Sequence, residues 1–326
     1  MKPLTLFHSA ILLSLCLATQ GQKNEISILN GRFFCTFPDS AKNIPRSTNI
    51  MSADPNKNDE TRVVYNVGDK RVVFFAEELY IKSVADLEKK LKEESTKDYP
   101  LAVKTIYDKD SSICISTTPS QFDPTQAAIF LKGIIVKSPD NTLSRFSVYL
   151  NPKAYADRAA MEKMVDQVFA SFRKGGKRLN LSARTETFNV LGTKTQMLLK
   201  LPVDYVVTLD KKYDFEVYRV RKLATYGEAD HADLNIYYGF HPSMFNTELN
   251  LSNFKQADSP GEFMFQKISW MNFKDDSKKI FVREQLFTDD DIQKDAQIHI
   301  GMISNNPKLV EELTEIIKQL LLKYDK

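Results

Sequence analysis

RFSVYLNPKAYADRAAMEKMVDQVFASF, residues 145–172, and QIHIGMISNNPKLVEELTEIIKQLLLKY, residues 297–324, are the two stretches whose reading decides the fold. In the first, Phe146, Val148 and Leu150 alternate, the period of a strand with one buried face. A shift of 152 carries them onto Ile298, Ile300 and Met302, apolar again. The same shift carries Met161, Met164, Val165, Val168, Phe169 and Phe172 onto Leu313, Ile316, Ile317, Leu320, Leu321 and Tyr324. Both sets follow helical spacing and define one apolar stripe. Asn151 and Asn306 are natural N-caps, with Pro152 and Pro307 at the first helical position, where a missing N–H costs nothing. The Asn-Pro pairs lie 155 apart, so the second helix should begin about a turn later. A strand and a helix that share one register point to an internal duplication.

Outward from these blocks, an apolar strand ending in proline opens each unit. Phe33, Cys35 and Phe37 precede Pro38; Met197, Leu199 and Leu201 precede Pro202, 164 residues later. In the first unit, 62–67 and 70–81 read as strands joined at Val67-Gly68-Asp69. A short helix over 83–95, capped by Ser83, would bury Val84, Leu87 and Leu91. Strands follow at 101–107, 113–117, 127–136 and 144–150, the last two forming a hairpin about Ser138-Pro139-Asp140-Asn141. In the second unit, strands read at 215–222, 233–239, 263–273 and 279–287, and Asp289-Asp290-Asp291 turns the chain into the closing strand. The segment 242–253 stands where the first unit has its short helix, with a poor helical pattern. RKGGKR, residues 173–178, reads as a solvated helix end and boundary, its cations favouring the helix C-terminus.

The expected organisation is therefore α+β: two tandem α-β-α sandwich-like domains, each a mainly antiparallel sheet closed by a long C-terminal helix. The boundaries are a signal peptide over 1–21, a first domain over 22–175, a linker over 176–185 and a second domain over 186–326. The opening pattern of Gly31, Phe33, Phe37 and Pro38, and more loosely Gly192, Leu201 and Pro202, with the Asn-Pro helix closing each half, resembles the PsbP/Mog-like family. Asp39-Ser40-Ala41 stands where that family carries an aromatic residue; Tyr205 takes the place in the second half. The resemblance implies tandem sandwich domains that bind or organise other proteins, and it transfers no site.

At 42% hydrophobic and 27% charged residues, without low-complexity tracts, the chain has a globular composition. Its net charge of +3, falling by one when Lys2 leaves with the leader, argues against nucleic acid or an anionic membrane as partner. Lys2, the apolar run Leu4–Leu17 and Thr19-Gln20-Gly21 form a secretory leader too short to span a bilayer. The expected location is secreted or periplasmic. Leu13-Ser14-Leu15-Cys16 resembles a lipobox, with Leu15 bulky where a small residue is usual, which makes Cys16 a candidate for lipidation and a lipid tether. Beyond the leader, Cys35 and Cys114 are either a disulfide or two buried thiols on neighbouring strands.

Motifs for chemistry are sparse. There is no GxSxG, Walker loop, GxGxxG or HExxH. Asp230-His231-Ala232-Asp233 lacks a second histidine for a metal. Asp289–Asp291 lacks the glycine and distal glutamate of a calcium loop. His299, between Ile298 and Ile300, is expected to face solvent. No catalytic, metal or cofactor residue is assigned. Trp270 is expected in the core, and Tyr238, His241, Met244 and Phe245 form the candidate binding surface. The expected function is a non-catalytic binding or scaffolding protein of the cell envelope, partnered by another envelope protein. An envelope-polymer hydrolase and a lipid-tethered membrane-surface module are the alternatives.

Overall fold

The computed structural model describes residues 24–43, 60–95, 100–109, 112–119, 127–138, 140–190, 194–211, 213–227, 230–245, 249, 251, 254–288 and 296–323. The leader, Cys16, Gly192 and Asp289–Asp291 lie outside the described residues. The first half runs through β1 (Asn24–Ile28), β2 (Phe33–Phe37), β3 (Lys42–Asn43), β4 (Glu60–Val67), β5 (Lys70–Lys82), α1 (Leu87–Glu94), β6 (Leu101–Lys109), β7 (Ser112–Pro119), β8 (Ile129–Lys137), β9 (Thr142–Leu150), α2 (Pro152–Tyr155), α3 (Arg158–Ala170) and β10 (Arg173–Lys174). The second continues through β11 (Arg184–Asn189), β12 (Gln196–Leu201), β13 (Tyr205–Lys211), β14 (Phe215–Lys222), β15 (Ala224–Thr225), β16 (Ala232–Gly239), β17 (Lys255–Phe263), β18 (Gln266–Asp275), β19 (Ile280–Thr288), β20 (Gln297–Ser304), α4 (Pro307–Ile317) and β21 (Leu321–Lys323).

The two halves share one connectivity. Strands order as β3-β4-β5-β9-β8-β7-β6 in the first large sheet and as β13-β14-β16-β20-β19-β18-β17 in the second. Each half adds a small sheet, β1-β2-β10 and β11-β12-β21, in which a strand just after the closing helix returns to the opening hairpin. Strand for strand the halves match, and among the described residues β15 is the strand without a counterpart. It crosses over and pairs parallel with the end of β5, Ala224 opposite Ile81.

The expected sandwich closed by long helices is overturned. Strands make up 57% of the structure and helices 16%, and four short helices occur among the described residues. Asn151 and Asn306 cap as expected, accepting from the N–H of Ala154 at 2.9 Å and of Lys308 at 3.0 Å. The helices then stop early. In the first half the chain breaks at Ala156–Asp157, where Asp157 pairs with Lys70 at 2.8 Å. In the second, Leu320 still packs in the core, but Leu321 already lies in β21, bonded to β12. An apolar stripe marks which residues face a core; the free edge of β12 decides where the helix gives way to strand.

Other expectations shift for local reasons. The short helix begins at Leu87 with Asp86, not Ser83, at its N-cap position. The strand expected over 263–273 is two strands joined at Met264-Phe265, both with positive φ (49° and 64°). Such a turn ordinarily carries Asn-Gly, so its sequence gives no warning. β17, with Pro260 in it and most of its residues exposed, is an edge strand lacking apolar alternation.

Buried residues separate by half. Phe33, Phe74, Phe146, Val148, Val165 and Phe169 belong to the core under α3. Leu199, Trp270, Ile300, Leu313 and Ile317 belong to the core under α4. The outer face of each large sheet is covered too, by α1 through Leu87 and Leu91 in the first half and by Phe245 and Leu251 in the second. No helix among the described residues is long and apolar enough to cross a membrane.

Candidate functional site

The cover over the first large sheet is incomplete. α2 packs against β5 and β9, α3 packs against β2 and reaches β8 through Asp166, and the outer strands β6 and β7 line the open side beside α3. Between them opens a cleft of about 750 Å³, floored by Cys114, Phe169 and Phe172 and walled by Ala102, Lys104 and Ser116. In the β6–β7 ladder, Lys104 lies opposite Ser116 and Ala102 opposite Thr118, so one sheet face presents small and polar residues in a row. Lys132 on β8 bridges to Asp166 on α3 at 2.6 Å and closes the inner end.

The second half fills the same place. Trp270 on β18 is fully buried on the α4 side, in T-shaped contact with Phe287 at 6.5 Å. Phe263 packs on Phe287 at 4.4 Å, and any Cβ at Gly261 would overlap the Trp270 indole. Arg283 ties this edge to the helix through Glu311 (2.7 Å) and Thr314 (2.8 Å). One copy of the fold is therefore closed by aromatic side chains, and the other is open where Ser116 and Thr118 stand.

The outward edge of β6 is not open. The Thr105 N–H donates to Glu88 Oε2 at 3.0 Å and the Leu101 N–H to Ser95 Oγ at 2.7 Å. Hydrogen bonds from Lys92 and Thr105 hold the Glu88 carboxyl down at about 2, so the edge stays capped across neutral and mildly acid pH. This blocks strand addition at that edge and leaves the cleft face as the accessible surface.

Cys35 and Cys114 are free thiols buried in one core. Burial pushes both up to about 12, with Lys174 opposing at Cys114, so neither is a thiolate nucleophile at neutral pH. The basic cluster is committed to structure: Arg173 and Lys174 form β10, and Arg173 stacks on Phe34 at 4.1 Å while binding Glu25. The Gly175 N–H donates to the Arg32 carbonyl at 2.6 Å, and a Cβ there would overlap the Gly31 carbonyl.

The candidate surface of the second half does not converge. Tyr238 lies in the core under α4, and Phe245 lies in the cluster on the opposite sheet face. Met244 is half-buried and His241 exposed, its N–H donating to the Tyr237 hydroxyl at 3.0 Å. The neighbouring Tyr237 is also buried, stacked on Phe215, so neither of the two adjacent tyrosines is exposed. His299 is a correction as well: it is 3% exposed and sits 3.0 Å from the fully buried Glu284. Glu284 also accepts the Phe245 N–H at 2.7 Å. The period-2 pattern placed His299 away from the α4 core correctly; the segment carrying Phe245 covers that second face. His231 remains on an exposed turn, its N–H donating to Asn305. Among the described residues, no three His, Cys, Asp or Glu side chains converge as metal ligands.

Two further polar features mark the region where the halves meet. Arg32, buried, bonds Glu78, Asp140 (3.0 Å), Ser138 (2.9 Å) and Thr142 (2.9 Å). Burial pushes the Asp140 carboxyl up, but Arg32 and hydrogen bonds from Ser138, Leu179 and Thr142 bring it below its ordinary value. Nearby, Lys82 pairs with Asp204, Arg221 stacks on Tyr80 at 4.7 Å, and the Tyr226 hydroxyl donates to Glu94 at 2.5 Å.

No family model matches the chain, and no curated protein matches its sequence. The sequence signal for the cleft was the loss of apolar alternation at Ala102, Lys104, Ser116 and Thr118. An ordinary solvated strand face reads the same way.

Proposed function

We propose that the chain is an exported, non-catalytic binding protein of the cell envelope whose working surface is the cleft of its first half. The observation that carries this reading is the difference between two copies of one fold: Trp270 and Phe263 close the second, and small residues leave the first open. At about 750 Å³ the cleft lies within the range of roughly 300–1,000 Å³ usual for small-molecule sites. Its lining favours holding a ligand over transforming one. Among the described residues its lining contains no histidine, its one cysteine is held protonated, and its one carboxylate, Asp166, is bound to Lys132. The leader formed by Lys2 and Leu4–Leu17 supports export.

The test uses the neutral solvatochromic dye Nile red with the mature chain. Saturable one-to-one binding is expected, lost in Ala102→Trp, which places an indole at the mouth as Trp270 does in the second half. Absence of saturable binding, or identical binding by the variant, would refute the assignment.

A further inference from the structure

The cleft follows the β6–β7 ladder, and its apolar and polar lining residues lie in separate parts. Ala102 to Tyr107 on β6 and Thr118 to Cys114 on β7 run side by side, about 13 Å at the usual rise per strand residue, with the Lys104–Ser116 pair part-way along and a bulge between Thr105 and Tyr107. One part is apolar: Ile106, unusually exposed for its type, with Cys114, Phe169 and Phe172. The other is the cross-strand pair Lys104–Ser116. Lys104 is exposed and has no ionic partner among the described residues, whereas Lys132 is neutralised by Asp166. A cation without an ionic partner among the described residues, beside a hydroxyl and next to an apolar wall, complements an anion with a hydrocarbon tail.

We propose that the cleft takes a single long-chain carboxylate, a free fatty acid, with its head on Lys104 and Ser116 and its tail along Ile106, Cys114, Phe169 and Phe172. This rests on the reading of the cleft as a binding site. A carboxylate suits Lys104 because the ammonium donates to it while Ser116 Oγ supplies a second donor. The tail gains by leaving water, each methylene adding to affinity until the cleft is full.

The experiment titrates the mature chain with decanoate, dodecanoate and tetradecanoate, and with the matching alcohols, by displacement of Nile red. Affinity for the acids should rise about fourfold per added methylene. Lys104→Met should weaken dodecanoate about tenfold and leave dodecanol unchanged. Ala102→Trp and Ser116→Phe should each block acids and alcohols alike; circular dichroism and the thermal transition establish that at least one is folded. If Nile red is displaced equally by acid and alcohol, or Lys104→Met weakens neither, the carboxylate assignment falls while the binding site stands. If Nile red never binds, both fall. A last arm sediments the chain with phosphatidylglycerol vesicles: pelleting lost on Ala102→Trp without competition by free acid would overturn the single-molecule ligand in favour of a lipid surface.

Discussion

Replacing Arg32 by methionine should be among the most damaging single changes in the first half. The guanidinium is 5% exposed and faces two carboxylates, Glu78 and Asp140, whose side chains are 1% and 8% exposed. Methionine fills comparable volume but leaves both charges without a counter-ion. Breaking one partner of a buried pair costs about 3–5 kcal/mol. At about 2–4 °C per kcal/mol for a unit of this size, the transition should fall by roughly 6–20 °C. All of the Arg32 partners belong to the first half, and the single tryptophan, Trp270, lies in the second-half core. Urea unfolding followed by far-ultraviolet circular dichroism should therefore show the loss, with a smaller change in the transition followed by Trp270 fluorescence. Adding Glu78→Gln should return about 0.5–3 kcal/mol, since the orphaned charge is then gone. The pH dependence carries the same logic. The folded Asp140 carboxyl lies below its ordinary value. Its stabilisation is complete above the unfolded value and is lost as pH falls through the folded one. The Arg32→Met variant should lack that part of the acid limb. A loss below about 1 kcal/mol, with an unchanged acid limb, would refute the view that this network is a closed, desolvated ion cluster.

Gly261→Ala forces a methyl into the Trp270 indole; a loss of about 1–3 kcal/mol with red-shifted tryptophan emission is expected, and unchanged emission would show that the closed copy has room to spare. Gly175→Ala sets a Cβ against the Gly31 carbonyl, a backbone atom that cannot swing aside, so β10 should detach and 173–178 should become sensitive to trypsin. Glu284→Leu strands the Phe245 N–H and His299; faster hydrogen exchange at the Phe245 amide is expected, and full protection would mean another acceptor takes over. Because the Glu88 carboxyl is held at about 2, its cap on Thr105 should persist as pH falls and release only near that value; exchange of the Thr105 amide accelerating already near pH 4 would contradict it.

The architecture was legible where it depends on local period and on caps. Phe146, Val148 and Leu150, their counterparts Ile298, Ile300 and Met302, and the two Asn-Pro caps fell where their spacing put them, and the shared register anticipated two copies of one connectivity. What period cannot supply is the far side of an element. His299 alternates correctly, yet it is buried because Phe245 arrives from another segment. β17 carries no apolar pattern because an edge strand is set by its neighbour's free hydrogen bonds rather than by its own side chains. The helices end early for the same reason, since pairing with β2 and β12 claims the residues that follow.

The sequence by itself determined the duplication, the division of apolar residues into buried and exposed faces, and the strand-helix order that closes each half. Only the tertiary structure decided how much of each sheet its helix covers, and hence that Trp270 seals one copy while Ser116 leaves the other open. Local spacing dictates which face of an element turns inward. Whether that face meets a neighbour or a cleft depends on residues tens of positions away, brought there by a fold that no local rule describes.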